Sequence, residues 1–420
     1  MNSLLNIARQ SAWNRRSTLV WVVVSLALAT ALLWTLERLR HDIRSSFSQS
    51  VSGVDLIVGA RSSPVQLMLF SVFHIGSVPQ SMSMDSVNKL AQHRSVSWVV
   101  PLSLGDSHRG FPVLGTTQGY FEHLRYGDQL PLALASGRRF DQLFEVVIGA
   151  EVARQLGYGT GDRLELSHGQ GQEALHDHED LPFEVVGVLA RTGTPVDRTL
   201  HVSLQALEAI HLGWQGGAPL PGLNIPARFV QKFDLQPKRV TAALVGLENR
   251  AGVFRLQRAL HQYPDEALEA VLPGVALDQL WNLLGVVEQT LAGVSLLVLA
   301  MGLSTMVAIV WAGLGERRRE LAILRSVGAG RRHIVALLAL EGLLLSLAGA
   351  LLGYLMLGLA AQAAASWTQA EFGLALPAWG SPANELKLLA GVLLAGLCAS
   401  LLPAWRAARL TLSDGLMPRL

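Results

Sequence analysis

The sequence predicts a membrane protein with four transmembrane α-helices and a large α+β extracytoplasmic domain between helices 1 and 2. Three observations carry that reading. Four stretches of about 20 mostly apolar residues punctuate the chain, the length a helix needs to cross a bilayer. Only 16% of the 420 residues are charged and half are hydrophobic, against about 25% charged residues in ordinary soluble domains. The shortfall is uneven: residues from about 40 to 280, between the first two stretches, have the mixed composition of a globular domain.

The first stretch, Ser17 to Leu36, carries no charge. Glu37-Arg38-Leu39-Arg40 follows it, not a small-x-small cleavage site, so it reads as a retained helix and not a signal peptide. The second, Leu283 to Gly315, carries only Glu288, and the third, His333 to Ala365, only Glu341. The fourth, Leu386 to Trp405, has Lys387 at its outer end.

Orientation follows from the basic residues at the span ends. Arg9, Arg15 and Arg16 precede the first span. Arg317, Arg318, Arg319, Arg325, Arg331 and Arg332 lie between the second and third, and Arg406, Arg409 and Arg419 follow the fourth. Four spans put all three clusters on one side, which the positive-inside tendency makes cytoplasmic. Residues 40–280 and the connection near 366–385 then lie outside, with both termini cytoplasmic. Leu4, Leu5, Ala8 and Ala12 share a helical face, so residues 1–16 read as an amphipathic cytoplasmic or interfacial lead-in.

Several function classes drop out. The net charge of +2 argues neither for nor against nucleic acid, but no basic stripe interleaves with aromatics, and no nucleic-acid partner is expected. The single cysteine, Cys398, excludes an intrachain disulfide and paired-cysteine zinc patterns, and reads as a small buried apolar residue. No HExxH, GxSxG or GxxxxGK[ST] occurs. No catalytic residue and no cofactor are therefore expected, and ATP hydrolysis by the usual phosphate-cradling loop is not.

The segment from Glu316 to Ile334 says most. Leu321, Leu324 and Val327 share a helical face, with Arg318 and Arg325 elsewhere, and Gly328 and Gly330 break the helix. This predicts a short amphipathic helix at the membrane surface whose stripe needs a partner groove or lipid. Membrane anchoring would account for the arginines, but needs neither the stripe nor the Gly-x-Gly break. In the third span, Gly349 and Gly353 form a small-xxx-small pair suited to helix packing.

The run Glu316–Ile334, the run Glu341-Gly-Leu-Leu-Leu-Ser-Leu-Ala-Gly-Ala-Leu-Leu-Gly353 and Pro403-Ala-Trp-Arg-Ala-Ala-Arg-Leu410 together resemble FtsX-like ABC-transporter permeases of the MacB and lipoprotein-release type. The resemblance covers about 283 to 420. Its C-terminal end departs from the family's Pro-x-Glu-Ala-Leu pattern, with Leu412-Ser-Asp-Gly-Leu416 instead. The resemblance implies that residues 316–327 are a coupling helix that docks on an ATPase, through Glu316, Arg317, Arg318, Glu320, Leu321, Leu324, Arg325 and Val327. It implies two ATPase copies as partners, a second permease in a dimer, a bacterial inner-membrane location, and a mechanotransmission cycle that exports or extracts a substrate; a homodimer is the expectation here, with a heterodimer left open. A periplasmic or lipoprotein partner fits that scheme. MacB fuses its ATPase to its N-terminus; this sequence does not, so a separate ATPase subunit is expected. The alternative from the same resemblance is an FtsX-like relay that controls a periplasmic enzyme.

Between the first two spans, Val54–Val58, Ser97–Val100, Glu145–Ile148, Arg163–Leu166, Phe183–Leu189 and Val240–Val245 read as strands. Ala150–Leu156 and Val253–Gln262 read as helices, and Gly157–Asp162 as a turn cluster. Val146–Leu204 resembles the MacB periplasmic core through Ile148-Gly-Ala-Glu-Val-Ala153, Gly161-Asp162, Val185-Val-Gly-Val188 and Pro195-Val-Asp-Arg198. The expected domains are thus residues 1–16, helix 1 at 17–38, a periplasmic core at 39–281 and a permease domain at 282–420. His168, His176 and His178 fall in a polar stretch with four carboxylates. Two readings stand for it: a solvated hairpin loop, or ligands for a zinc-type ion.

Overall fold

Long apolar runs give long helices, and each predicted span is one, the fourth continuing through Pro403. The computed structural model describes residues 16–50, 52–76, 80–169, 176–177, 181–215, 218–219, 227–316, 318–326, 328–372 and 382–409. The lead-in at Leu4–Trp13 lies outside them. In chain order the elements used below are α1 (Arg16–Gln49), β1 (Leu56–Ala60), α2 (Pro64–Phe73), α3 (Met84–Ala91), β2 (Val96–His108), β3 (Phe111–Thr116), β4 (Leu134–Gly137), β5 (Glu145–Ile148) and α4 (Ala150–Leu156). They continue with β6 (Ser167–His168), β7 (His176–Asp177), β8 (Phe183–Leu189), β9 (Leu200–Ser203), α5 (Leu204–Ile210), β10 (Ala242–Leu247), α6 (Val253–His261) and β11 (Leu268–Val271). The last four are α7 (Pro273–Glu316), α8 (Arg318–Ser326), α9 (Arg331–Phe372) and α10 (Pro382–Arg409).

Among the described residues, four helices are long and apolar enough to cross a membrane, over Arg16–Arg38, Pro273–Leu314, Arg331–Ala365 and Asn384–Arg409. They form one compact unit with α8: α1 to Asp42, α7 from Gly285, α9 to Ser366, and α10. Within it, Val22, Leu26, Thr30, Trp34 and Arg38 on α1 recur every fourth residue and are all buried. That spacing sets one face of a helix against its neighbours. The outward residues Val20, Trp21, Leu28 and Leu32 are apolar and exposed, as lipid contact requires. Cys398 also lies on the outer surface of α10 and not in the interior. The sequence sees an apolar run but not which helix face is turned inward.

The second unit, Ile43–Leu284, is α+β. Its main sheet runs β11-β1-β10-β2-β3-β9-β5-β8-β4, with β6 pairing β2 and β7 off that path. β3·β9 and β5·β8 are parallel, and the other pairs named are antiparallel. β2 holds the two halves together: 13 residues long, it pairs with β10 through one part and with β3 through the other.

Side-chain alternation assigns the core. Leu56 and Val58 pack with Leu90 of α3 and Leu256 and Leu260 of α6, while Ile57 packs on the opposite face with Leu67 and Met68 of α2. A strand covered on both faces loses the polar alternation that would reveal its register. That is why β1 occupies Leu56–Ala60 and not Val54–Val58. β9 escapes detection because it is four residues flowing straight into a helix. Gly157 (φ 72°) and Gly161 (φ 96°) form the predicted turn in a left-handed conformation that favours glycine. The strand that follows is shorter than predicted, Arg163–Leu164.

Candidate functional site

α8 is bounded by a glycine. At its C-terminal end Gly328 takes φ 102°, and the Ala329 N–H donates to the Leu324 carbonyl at 3.0 Å. This is the left-handed glycine cap that stops a helix while satisfying its last carbonyls. α9 then starts at Arg331.

The apolar stripe of α8 is already occupied. Leu321 is 6% exposed and packs with Leu314 of α7, Ile334 and Leu338 of α9, and Ala404 and Ala407 of α10, with Leu324 at the edge. Ala404 and Ala407, three apart in the Pro403–Leu410 run, lack side chains long enough to fill the space Leu321 takes. The groove the sequence asks for is therefore supplied by the chain's own helices. Among the described side chains of α8, Ile323, 54% exposed, and Ser326 are turned outward, and the stripe reading passes over Ile323. Its signal is its position between Leu321 and Leu324, off their face.

The other predicted coupling residues divide as follows. Arg325 is half-buried. Glu316, Arg318 and Glu320 lie on helical backbone, at the end of α7 and in α8, and their side chains lie outside the description, as do Arg317 and Val327 altogether.

Gly349 and Gly353 face α1. A Cβ at Gly349 would sit 2.6 Å from the Leu26 Cβ, and one at Gly353 2.5 Å from the Ala27 carbonyl oxygen. Thr30 donates to the Leu26 carbonyl at 2.8 Å and lies 3.4 Å from the Gly349 carbonyl. Close backbone approach between these helices therefore depends on glycine. At the other end of α1, Arg38 pairs with Glu385 of α10, and the Tyr354 hydroxyl of α9 donates to Glu385 Oε2 at 2.6 Å. Trp34 meets the Tyr354 ring edge-on at 5.5 Å.

In the α+β unit the structure regroups the predicted histidines. His168 Nδ1 lies 3.0 Å from Asp106 Oδ1 and 3.0 Å from His211 Nε2, and His211 Nε2 lies 3.4 Å from the same Asp106 oxygen. Neither Asp106 nor His211 was a sequence candidate, since they lie 62 and 43 residues from His168. His176 pairs with His168 in the backbone register of β6 and β7, and His178 lies outside the described residues. Asp106 is 3% exposed. Burial pushes its carboxyl up, but the two imidazoles outweigh this and hold it at about 2. Burial likewise lowers His211, and the Asp106 carboxylate overrides it and raises the imidazole.

Two family models match the chain. Residues 18–230 match the MacB-like periplasmic core domain, and residues 292–412 match the FtsX-like permease C-terminal domain. The pyoverdine export ATP-binding/permease protein PvdT of Pseudomonas syringae pv. tomato is 24% identical over 411 residues, which are 94% of this chain. The chain spans 55% of that relative's length. Among solved structures, the periplasmic region of MacB from Actinobacillus actinomycetemcomitans is 12% identical with a TM-score of 0.32, covering 56% of this chain and 95% of its own. The extracellular domain of the noncanonic ABC-type transporter YknZ from Gram-positive bacteria is 14% identical with a TM-score of 0.29, covering 52% and 98%. The periplasmic-core match alone takes in just over half of the residues, and the chain, a multi-pass membrane protein, belongs to the FtsX/MacB-type family of ABC-transporter permeases.

Proposed function

We propose that this chain is the permease subunit through which a separate cytoplasmic ABC ATPase moves a periplasmic domain, for export or extraction of a substrate. The observation that supports it best is α8. It is a capped nine-residue helix between the second and third spans, held from behind by Leu321 and presenting Ile323 outward. A helix fixed to three spans at once passes a push on its outer face to all of them. The basic residues around it favour the cytoplasmic side of a bacterial inner membrane. The described residues carry no GxxxxGK[ST] loop, and in this reading ATP hydrolysis is the work of the ABC ATPase. A pair of ATPases with a homodimer of permeases completes the assembly. The relative PvdT carries pyoverdine export in its name, and export of a small secreted compound is one substrate class consistent with this reading.

The test is a mild-detergent pull-down of the tagged protein from its native membranes, with mass spectrometry of what co-purifies. Recovery of an ATPase with a GxxxxGK[ST] loop is the expected result. An intact permease complex that repeatedly lacks one would sink the reading.

A further inference from the structure

The cluster of Asp106, His168 and His211 is built from three separate elements. Asp106 follows a bulge in β2, where the register against β3 shifts between Leu104 and Asp106. A bulge inserts one residue and re-aims the side chains beyond it. His168 sits opposite Asp106 in the β2·β6 register. His211 is the residue that caps α5 at its C-terminal end. Trp214 walls the site, with its ring 5.4 Å from that of His168 and 5.7 Å from that of His211.

The hydrogen bonding of His211 decides what the site can hold. Its Nδ1 lies 2.8 Å from the Leu207 carbonyl oxygen, which can only accept, so Nδ1 carries the proton. In the neutral ring Nε2 is then a lone pair, and it points at the lone pairs of Asp106 Oδ1. A carboxylate oxygen and an imidazole lone pair this close repel unless a proton or a metal cation bridges them, and His168 Nδ1, 3.0 Å from both, converges on the same point. Asp106 is almost fully buried, and a buried charge needs a compensating one. The ring proton fixed on the far nitrogen by a backbone carbonyl is the arrangement that orients metal-ligating histidines.

The distances suit a metal. The three ligand atoms lie at 3.0, 3.0 and 3.4 Å from one another. Donors about 2.1 Å from a zinc-sized ion sit about 3.0–3.4 Å apart, between octahedral and tetrahedral angles. Two imidazoles and one carboxylate select zinc-like ions over magnesium or calcium, which take oxygen ligands. The His168 and His211 side chains are each 29% exposed while Asp106 is not. The site therefore has a closed floor and an open mouth, the form of a centre that leaves a coordination position free.

We propose that Asp106, His168 and His211 bind one divalent transition-metal ion of the zinc, cobalt or nickel type, exchangeable with the surrounding solution. The site rests on geometry within the α+β unit alone, so it stands or falls independently of the ATPase partner.

The experiment uses the full chain in detergent, purified without a histidine tag and stripped with a chelator. Zn2+ is titrated in competition with a chromophoric chelator, and Co2+ binding is followed by its visible absorption. Wild type should take up one Zn2+ per chain. His168→Ala and His211→Ala should each weaken it at least tenfold and remove the Co2+ spectrum, with circular dichroism unchanged. Asp106→Asn should do the same. Because that side chain is buried, the two histidine variants decide the matter should the asparagine variant not fold. No Zn2+ uptake by wild type, or equal affinity in wild type and both histidine variants, overturns the proposal.

Discussion

Arg38 of α1 and Glu385 of α10 form an ion pair in which both side chains are largely withdrawn from solvent, at 9% and 16% exposure. Tyr354 of α9 closes it from the third side, its hydroxyl on Glu385 and its ring 5.1 Å from the Arg38 guanidinium. Arg38 thus has a reason to stand at the end of a span opposite the basic clusters. Removing one partner of a buried pair costs far more than the pair is worth, because the other charge stays behind. Arg38→Ala should therefore destabilise the helical unit by about 3 kcal/mol. The double variant with Glu385→Gln should lose less than the sum of the two single changes. Thermal unfolding in detergent, arranged as a double-mutant cycle, measures this; strict additivity would show that the pair is not coupled.

Gly353 gives a steric prediction. The nearest neighbours of an added Cβ include the Ala27 carbonyl oxygen at 2.5 Å and the Ala31 nitrogen at 3.1 Å, which are backbone and cannot rotate away. Gly353→Ala should cost about 1–3 kcal/mol, the range for overpacking. Gly391→Ala, on α10 with open space around it, is the control and should change little. Equal melting temperatures for both variants would contradict the close approach of α1 and α9.

His201 makes the α+β unit sensitive to acid. It is fully buried, and burial lowers its pKa to about 3. Its Nδ1 lies 3.2 Å from the Val147 carbonyl and its ring lies tilted against those of Tyr120 and Phe121. The unfolded chain binds a proton there below about pH 6.5 that the folded one refuses. Stability should fall as pH drops from about 6.5 towards 3, by about 1.4 kcal/mol per pH unit from this residue. His201→Gln should flatten that slope. Denaturant titrations at pH 7 and pH 5 read it, and parallel losses in both proteins would remove His201 as the cause.

On α8, two substitutions two residues apart should behave differently. Leu321→Asp places a charge among Leu314, Ile334, Leu338 and the two alanines, and should loosen the loop itself, lowering the melting temperature. Ile323→Asp leaves the packing alone and should abolish ATPase co-purification at unchanged melting temperature. An unaltered complex with Ile323→Asp would remove the outer face of α8 as the docking surface.

The helices were legible because length and the lack of charge decide them. Every predicted span lies within a helix, though α1 runs on to Gln49 and α7 begins as early as Pro273. The domain was legible where strands are bounded by turns, as in Glu145–Ile148 and Phe183–Leu189. It was not where strands are buried on both faces or run directly into helices, as in β1 and β9. The glycine pair was readable from its spacing. The occupant of the α8 stripe was not, because Ala404 and Ala407 look like unremarked small residues until the fold brings them under Leu321. The same holds for Asp106 and His211: a sequence motif is local, and this cluster is made by a bulge, a hairpin and a helix end.

The seating of Leu321 on Ala404 and Ala407 joins two segments some eighty residues apart into one mechanical joint. They cannot be exchanged separately. A chimera that borrows only the loop between the second and third spans from a relative would set a foreign knob over a socket cut for leucine. To graft a new motor specificity onto this permease, the last two turns of α10 must travel with the loop.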